Sequence, residues 1–100
     1  MAAAVLSAAL HSDDLAWAEQ LCVRLAGHAH EQVRGNAVLG LGHLARRFGR
    51  LTEGRVAPLM AAALHDTSAY VRGQAAAAAD DLEQFLGWKG LRGTGGDHAP

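Results

Sequence analysis

One hundred residues is enough for one domain with a small core and too few for several. Half of the residues are hydrophobic but only 5% are aromatic, and the many alanines favour closely packed helices over sheets. The formal net charge of −1 lacks the basic excess that nucleic-acid-binding proteins usually carry.

The sequence predicts five helices and no strand, and therefore an all-α fold. Apolar residues recur at helical spacing, and no stretch alternates apolar and polar residues as a half-buried strand does. Ser12 and Thr52 are predicted to cap the second and fourth helices, and the third is predicted to end at Gly49. Gly27 is predicted to end the second helix in a left-handed conformation. In chain order, the predicted helices cover residues 2–10, 13–26, 30–48, 53–65 and 69–86.

The C-terminal residues differ from the rest in composition. Residues 88–100 are glycine-rich and weakly apolar, which predicts a disordered tail after a domain of residues 1–87. Cys22 is the only cysteine, so no intramolecular disulfide is available, and this favours a reducing compartment. The chain shows no signal-peptide pattern and no apolar run long enough to span a membrane, so we expect a cytoplasmic protein.

A segment of the third helix recurs in the fifth. Val33-Arg34-Gly35, Ala37 and Leu44 match Val71-Arg72-Gly73, Ala75 and Leu82 at a constant offset of 38 residues, which is typical of stacked repeats. Three glycines inside the third helix, Gly35, Gly40 and Gly42, should each cost about 1 kcal/mol, so we expect a close helix neighbour there, and likewise at Gly73. The predicted buried side of the fifth helix is Val71, Ala75, Ala78, Ala79, Leu82, Phe85 and Leu86.

Residues 15–86 resemble the HEAT-repeat family of α-solenoids. Leu64, Asp66, Val71 and Arg72 match a pattern common before and into the second helix of such repeats, while His28 takes the aspartate position in the first copy. The resemblance implies a short right-handed solenoid of antiparallel helices, made of two helix pairs behind an N-terminal capping helix. It also implies that Asp66 and Arg72, with Arg34 in phase, join neighbouring repeats.

A narrower resemblance is to small bacterial HEAT-like proteins, some of which are encoded beside toxin genes as candidate immunity proteins. It is carried by four short segments: Gln20-Leu21-Cys22, Val33-Arg34-Gly35, Leu41-Gly42-His43-Leu44-Ala45-Arg46 and Ala79-Asp80-Asp81-Leu82. It implies an inhibitor or immunity-type protein.

In HEAT-like proteins the second helix of each pair lines the concave side of the solenoid. We therefore expect a protein partner to contact the exposed side of the third and fifth predicted helices. The predicted contact residues lie on the second helices, away from the buried stripes. They are Gln32, Asn36, Leu39, His43, Arg46, Arg47, Tyr70, Gln74 and Asp81. Mixed aromatic, amide and charged groups suit a protein-binding groove without catalytic residues or a cofactor.

The principal alternative is a metal-dependent or lyase-type enzyme, or a subunit of one. Some HEAT-like hydroxylases use several His-Glu pairs at a di-iron site, but only His30-Glu31 has that form here. His28, His30 and His65 are better explained as exposed turn residues, and no metal is predicted. Cys22 falls on an apolar stripe, which indicates an inert buried thiol.

A second alternative is contact with a nucleic-acid backbone through Arg46, Arg47, Arg50 and Arg55. No tryptophan or tyrosine lies between these residues to stack on bases, and acidic residues elsewhere cancel the net charge, so nucleic acid is not the expected partner. Finally, the apolar Phe85-Leu86-Trp88 end predicts self-association, or a partner that covers it.

Overall fold

Helices account for the regular secondary structure of the described residues. A computed structural model describes residues 7–91, and residues 2–6 of the first predicted helix lie outside that range. Residues 7–10 are helical (α1). They are followed by α2 (Leu15–Leu25), α3 (Glu31–Phe48), α4 (Glu53–Ala63) and α5 (Ala69–Leu86). The described residues contain no strand, so the predicted all-α class is confirmed. None of these helices has the length and apolar character needed to cross a lipid bilayer.

The helix bounds recur at one interval. α2 and α4 each have 11 residues, α3 and α5 each have 18, and both ends of each helix lie 38 residues from their counterparts. Gly49 and Gly87 end α3 and α5 with the same left-handed backbone, at φ 70°. Glycine suits both positions because it has no side chain to oppose a positive φ.

Two predicted helix ends are wrong for a local reason. Asp14, rather than Ser12, caps α2, because its carboxylate accepts from the Trp17 N–H while the Ser12 hydroxyl accepts from the Asp14 N–H. Gly27 does not adopt a positive φ. Ala26, which follows the last residue of α2, has right-handed helical backbone angles, and the Gly27 N–H donates to the Arg24 carbonyl. Glycine is therefore not required for conformational reasons at this end.

α3 and α5 pack against each other more extensively than any other two helices, and α2 packs on α3. Smaller contacts join α4 to α5 and α2 to α4. The core is small and rich in alanine. Its largest fully buried side chains are Leu41, Leu44, Met60, Leu82, Val38, Val56, Val71 and Cys22.

Glycine permits the close approach of α3 and α5 at two positions. A Cβ on Gly42 would lie 3.0 Å from the Ala78 Cα, and one on Gly35 would lie 2.6 Å from the Tyr70 ring. Gly73 differs, since no described atom would come within 4 Å of a Cβ there. The expectation of a close neighbour is therefore right for Gly35 and Gly42 and wrong for Gly73.

The chain continues in contact with the core after α5. Leu91 is only 4% exposed and belongs to the buried cluster, and Trp88 packs against that cluster. Packed structure thus extends past the boundary predicted at residue 87, because two apolar side chains there can cover the core. Residues 92–100 of the predicted tail lie outside the described range.

Candidate functional site

Tyr70 is an exposed aromatic residue held in a fixed position by α3. Its ring lies across Gly35, its hydroxyl donates to Asn36 Oδ1 at 2.5 Å, and Gln74 Nε2 donates to the same hydroxyl at 3.1 Å. Even so, 42% of Tyr70 remains exposed. Three of the predicted contact residues, Asn36, Tyr70 and Gln74, therefore form one hydrogen-bonded group that spans both helices.

Arg46, Asp81 and Phe85 form a second group further along the same two helices. Arg46 Nη2 lies 3.2 Å from both carboxylate oxygens of Asp81, and its guanidinium carbon lies 5.9 Å from the centre of the Phe85 ring. Phe85 is 41% exposed, so its predicted place on the buried side of α5 is wrong. Because Phe85 follows Leu82 by three residues, helical spacing predicts it on the same side of α5. It lies instead at the edge of the buried stripe, beside Arg46.

The other predicted contact residues of α3, apart from Arg47, lie on the same side of the helix as these two groups. Gln32 and His43 are exposed and Leu39 is half-buried. Alternating steps of four and three residues place them on one side of the helix with Asn36 and Arg46. We call this surface the α3–α5 face. Its residues are Gln32, Asn36, Leu39, His43, Arg46, Tyr70, Gln74, Asp81 and Phe85.

Arg47 is committed to a different part of the molecule. Its guanidinium donates to the Leu10 and Ser12 carbonyls at 2.9 and 2.5 Å and to Asp13 Oδ1 at 2.7 Å. It also lies over the Phe48 ring, 4.7 Å from the ring centre. The structure thus uses Arg47 to fasten α3 to the turn between α1 and α2, and we leave it out of the α3–α5 face.

The arginine cluster is largely neutralised by acids from other helices. Arg46 pairs with Asp81, Arg47 with Asp13, and Arg55 with Glu19 at 3.5 Å. Arg50 forms no ion pair with another residue in the described part of the chain. The field that would attract a phosphate backbone is correspondingly weakened.

Glu19 is a buried carboxylate to which the sequence assigns no role. It is only 4% exposed, and its Oε1 accepts from the Thr52 N–H at 2.8 Å, just before α4. The Thr52 side chain itself makes no capping hydrogen bond. The sequence offers no signal for this role, because the bonded groups lie 33 and 36 residues away from Glu19.

Helices α2 and α3 form one helical hairpin, and α4 and α5 form a second. Arg34 and Asp66 form the main polar junction between the two hairpins. Arg34 Nε and Nη2 donate to the two carboxylate oxygens of Asp66 at 3.0 and 2.8 Å, and each side chain is 18% exposed. The hydrogen bond from Arg34, with a further one from the Ser68 N–H, lowers the pKa of Asp66. Beside this pair the Ser68 hydroxyl donates to Glu31.

Arg72 repeats the local part of this arrangement only. Its Nη1 donates to the carbonyls of Asp66 and Thr67, as Arg34 Nη1 does to those of His28 and Ala29. Arg34 is thus the partner of Asp66 across the junction, and Arg72 binds the backbone of its own turn. The resemblance named the residues involved but not this pairing.

His28 makes a local hydrogen bond, and Cys22 is buried. His28 Nδ1 accepts from the His30 N–H at 2.9 Å. Within residues 7–91, no three His, Cys, Asp or Glu side chains are grouped so as to hold a metal ion. Burial, and then the nearby Glu19 carboxylate, raise the pKa of the Cys22 thiol to about 12, so the thiolate nucleophile is scarce at neutral pH.

Comparison of the chain with protein-family models, curated proteins and solved structures finds no match.

Proposed function

We propose that this chain is a protein-binding module, and that its partner contacts the α3–α5 face without any chemical step. The observation that carries the proposal is the state of Tyr70 and Phe85. Each is about two-fifths exposed, yet each is held by polar or cationic neighbours from the paired helix. Aromatic residues and arginine dominate the energetics of protein interfaces. Side chains that are already ordered lose little entropy on binding.

We further propose that the two hairpins are HEAT-like repeats of a short right-handed solenoid. Support comes from the helix bounds, which recur at 38 residues, and from the Arg34–Asp66 pair between the hairpins. In such an arrangement α3 and α5 line the concave side. The resemblance to small bacterial HEAT-like proteins makes an inhibitor or immunity-type role in the cytoplasm the specific form of this proposal.

The test is co-purification of the tagged chain with its partner from the native host. Tyr70→Ala and Phe85→Ala should each reduce recovery of a stoichiometric partner at least tenfold, as expected when an interface residue worth more than about 1.4 kcal/mol is truncated.

Trp17→Ala is the matched control, because Trp17 is 45% exposed but lies on α2, away from the α3–α5 face. Circular dichroism would establish that all three variants remain folded. Equal recovery with all of them would remove the α3–α5 face from the account.

A further inference from the structure

The junction between the hairpins shows how this molecule docks a helical hairpin. Asp66, in the turn before α5, receives two hydrogen bonds from Arg34, and Tyr70, in the first turn of α5, lies across Gly35. The docked hairpin thus supplies a carboxylate and, four residues later, an aromatic ring. The receiving helix supplies an arginine followed by a glycine.

Arg72 and Gly73 form the same arginine–glycine pair on α5. No described residue pairs with Arg72 or lies over Gly73 as Asp66 and Tyr70 do at Arg34 and Gly35. Arg72 Nη1 is anchored to its turn in the same way as Arg34 Nη1, which orients the guanidinium similarly. The residue is exposed and forms no ion pair with another described residue. The Tyr70 ring lies against Gly35 of α3, whereas no described atom would lie within 4 Å of a Cβ added at Gly73.

We propose that Arg72 and Gly73 form a second docking site, which accepts a helical hairpin of another protein. The hairpin carries an aspartate or glutamate in its turn and an aromatic residue in the first turn of its second helix. The acid pairs with the Arg72 guanidinium, and the ring lies over Gly73, where the missing side chain allows close approach. This site uses residues outside the α3–α5 face and does not depend on the function proposed for that face.

The chain itself is a poor source of this hairpin. Its own Asp66 and Tyr70 are occupied by Arg34, Gly35 and Asn36. The first hairpin carries His28 and Gln32 at the corresponding positions, which provide neither a carboxylate nor a ring. A second copy stacked end to end would therefore leave the guanidinium of Arg72 without an acid, and a different protein fits better.

The test uses the full chain and a synthetic peptide of residues 53–86, which carries Asp66 and Tyr70 in their native spacing. Because the isolated peptide lacks its α3 neighbour, docking should also make it fold, and circular dichroism should show a rise in helicity when peptide and chain are mixed. Amide chemical shifts of the isotope-labelled chain should change around Arg72 and Gly73 as peptide is added. Asp66→Asn or Tyr70→Ala in the peptide should each weaken binding about tenfold, the effect of losing one charged hydrogen-bonded contact or one well-packed aromatic.

Gly73→Leu in the chain should weaken binding at least tenfold. Gly54→Leu is the matched control, since Gly54 is also an exposed helical glycine with no described atom within 4 Å of an added Cβ. It should bind peptide as the unaltered chain does, and circular dichroism verifies that both variants fold.

Five results would overturn the proposal. The first is absence of binding, and the second is equal binding by the Gly73→Leu chain. The third is a set of shifts centred on Arg34 and Gly35, which would mean that the peptide replaces the chain's own hairpin. The fourth is binding that appears only after residues 92–100 are removed, which would assign the site to the chain's own C-terminal segment. The fifth is concentration-dependent dimerisation abolished by Gly73→Leu, which would assign the site to a second copy.

Discussion

Gly35 and Gly73 occupy equivalent positions in α3 and α5 but have different surroundings. An added methyl group has open space at Gly73, so Gly73→Ala should raise the free energy of unfolding by about 0.5–1 kcal/mol through helix propensity. At Gly35 the same group would meet the Tyr70 ring at 2.6 Å and displace it from Asn36. Gly35→Ala should therefore give no gain and a lower stability than Gly73→Ala by at least about 1 kcal/mol.

Urea denaturation of both variants measures this difference. Equal stabilisation by the two substitutions would show that the Tyr70 ring is not held against α3. That result would also weaken the argument that Tyr70 is ordered in advance for a partner.

Asp66 should make stability depend on pH in the acid range. The Arg34 hydrogen bond lowers the pKa of Asp66 in the folded chain, so its contribution is fully present above the unfolded value of about 3.9. It is lost as the pH falls through the lower, folded value. The stability difference between the unaltered chain and Asp66→Asn should thus be largest near neutral pH and shrink below about pH 4.

Thermal melts of both proteins from neutral pH down to the acid range would check this dependence. Asp13→Asn is the control, since the Asp13 side chain is 98% exposed and its pair with Arg47 should contribute little. A difference for Asp66→Asn that stays constant with pH would contradict the prediction.

At the scale of helices, the sequence predicts the elements better than their ends. α5 has the predicted bounds because the Ser68 hydroxyl accepts from the Val71 N–H at its start and Gly87 adopts a positive φ at its end. At α2, two capping residues lie within three positions: the Ser12 hydroxyl accepts from the Asp14 N–H before the helix begins, and the Asp14 carboxylate accepts from the Trp17 N–H in the first turn.

Most residues of the α3–α5 face were predictable from helical spacing, but the exposure of Phe85 and the pairings across the face were not. Helical spacing alone places Asn36, Arg46 and Gln74 on exposed sides of their helices. Whether Tyr70 meets Asn36, or Arg46 meets Asp81, depends on the register of one helix against the other. That register is set by where Gly35 and Gly42 let the helices approach, and neither spacing nor composition gives it.

The two capping positions that precede α4 and α5 should differ in importance. The Ser68 hydroxyl accepts from the Val71 N–H and donates to Glu31, so Ser68→Ala should cost about 1 kcal/mol. The Thr52 side chain makes no capping bond, and its N–H is held by Glu19, so Thr52→Ala should stay within about 0.5 kcal/mol of the unaltered chain. Urea midpoints of the two variants compare them directly, and a larger loss for Thr52→Ala would reverse the assignment.

For the whole molecule, extensive α3–α5 packing should make the two hairpins unfold together. The chain offers a reporter in each half, because Trp17 lies on α2 and Trp88 packs against the core after α5. Fluorescence of Trp88→Phe and Trp17→Phe variants should therefore give the same urea midpoint, matching circular dichroism. Two separate midpoints would show that the hairpins are independent units, and the α3–α5 face would then lack the rigidity assumed for it.

Hydrogen–deuterium exchange of the chain, free and bound to its co-purified partner, tests the central claim most directly. If the partner occupies the α3–α5 face, binding should slow exchange in both helices, including residues 36–46 of α3. Protection confined to α2 and α4, or to α5 alone around Arg72, would place the partner elsewhere and contradict the account.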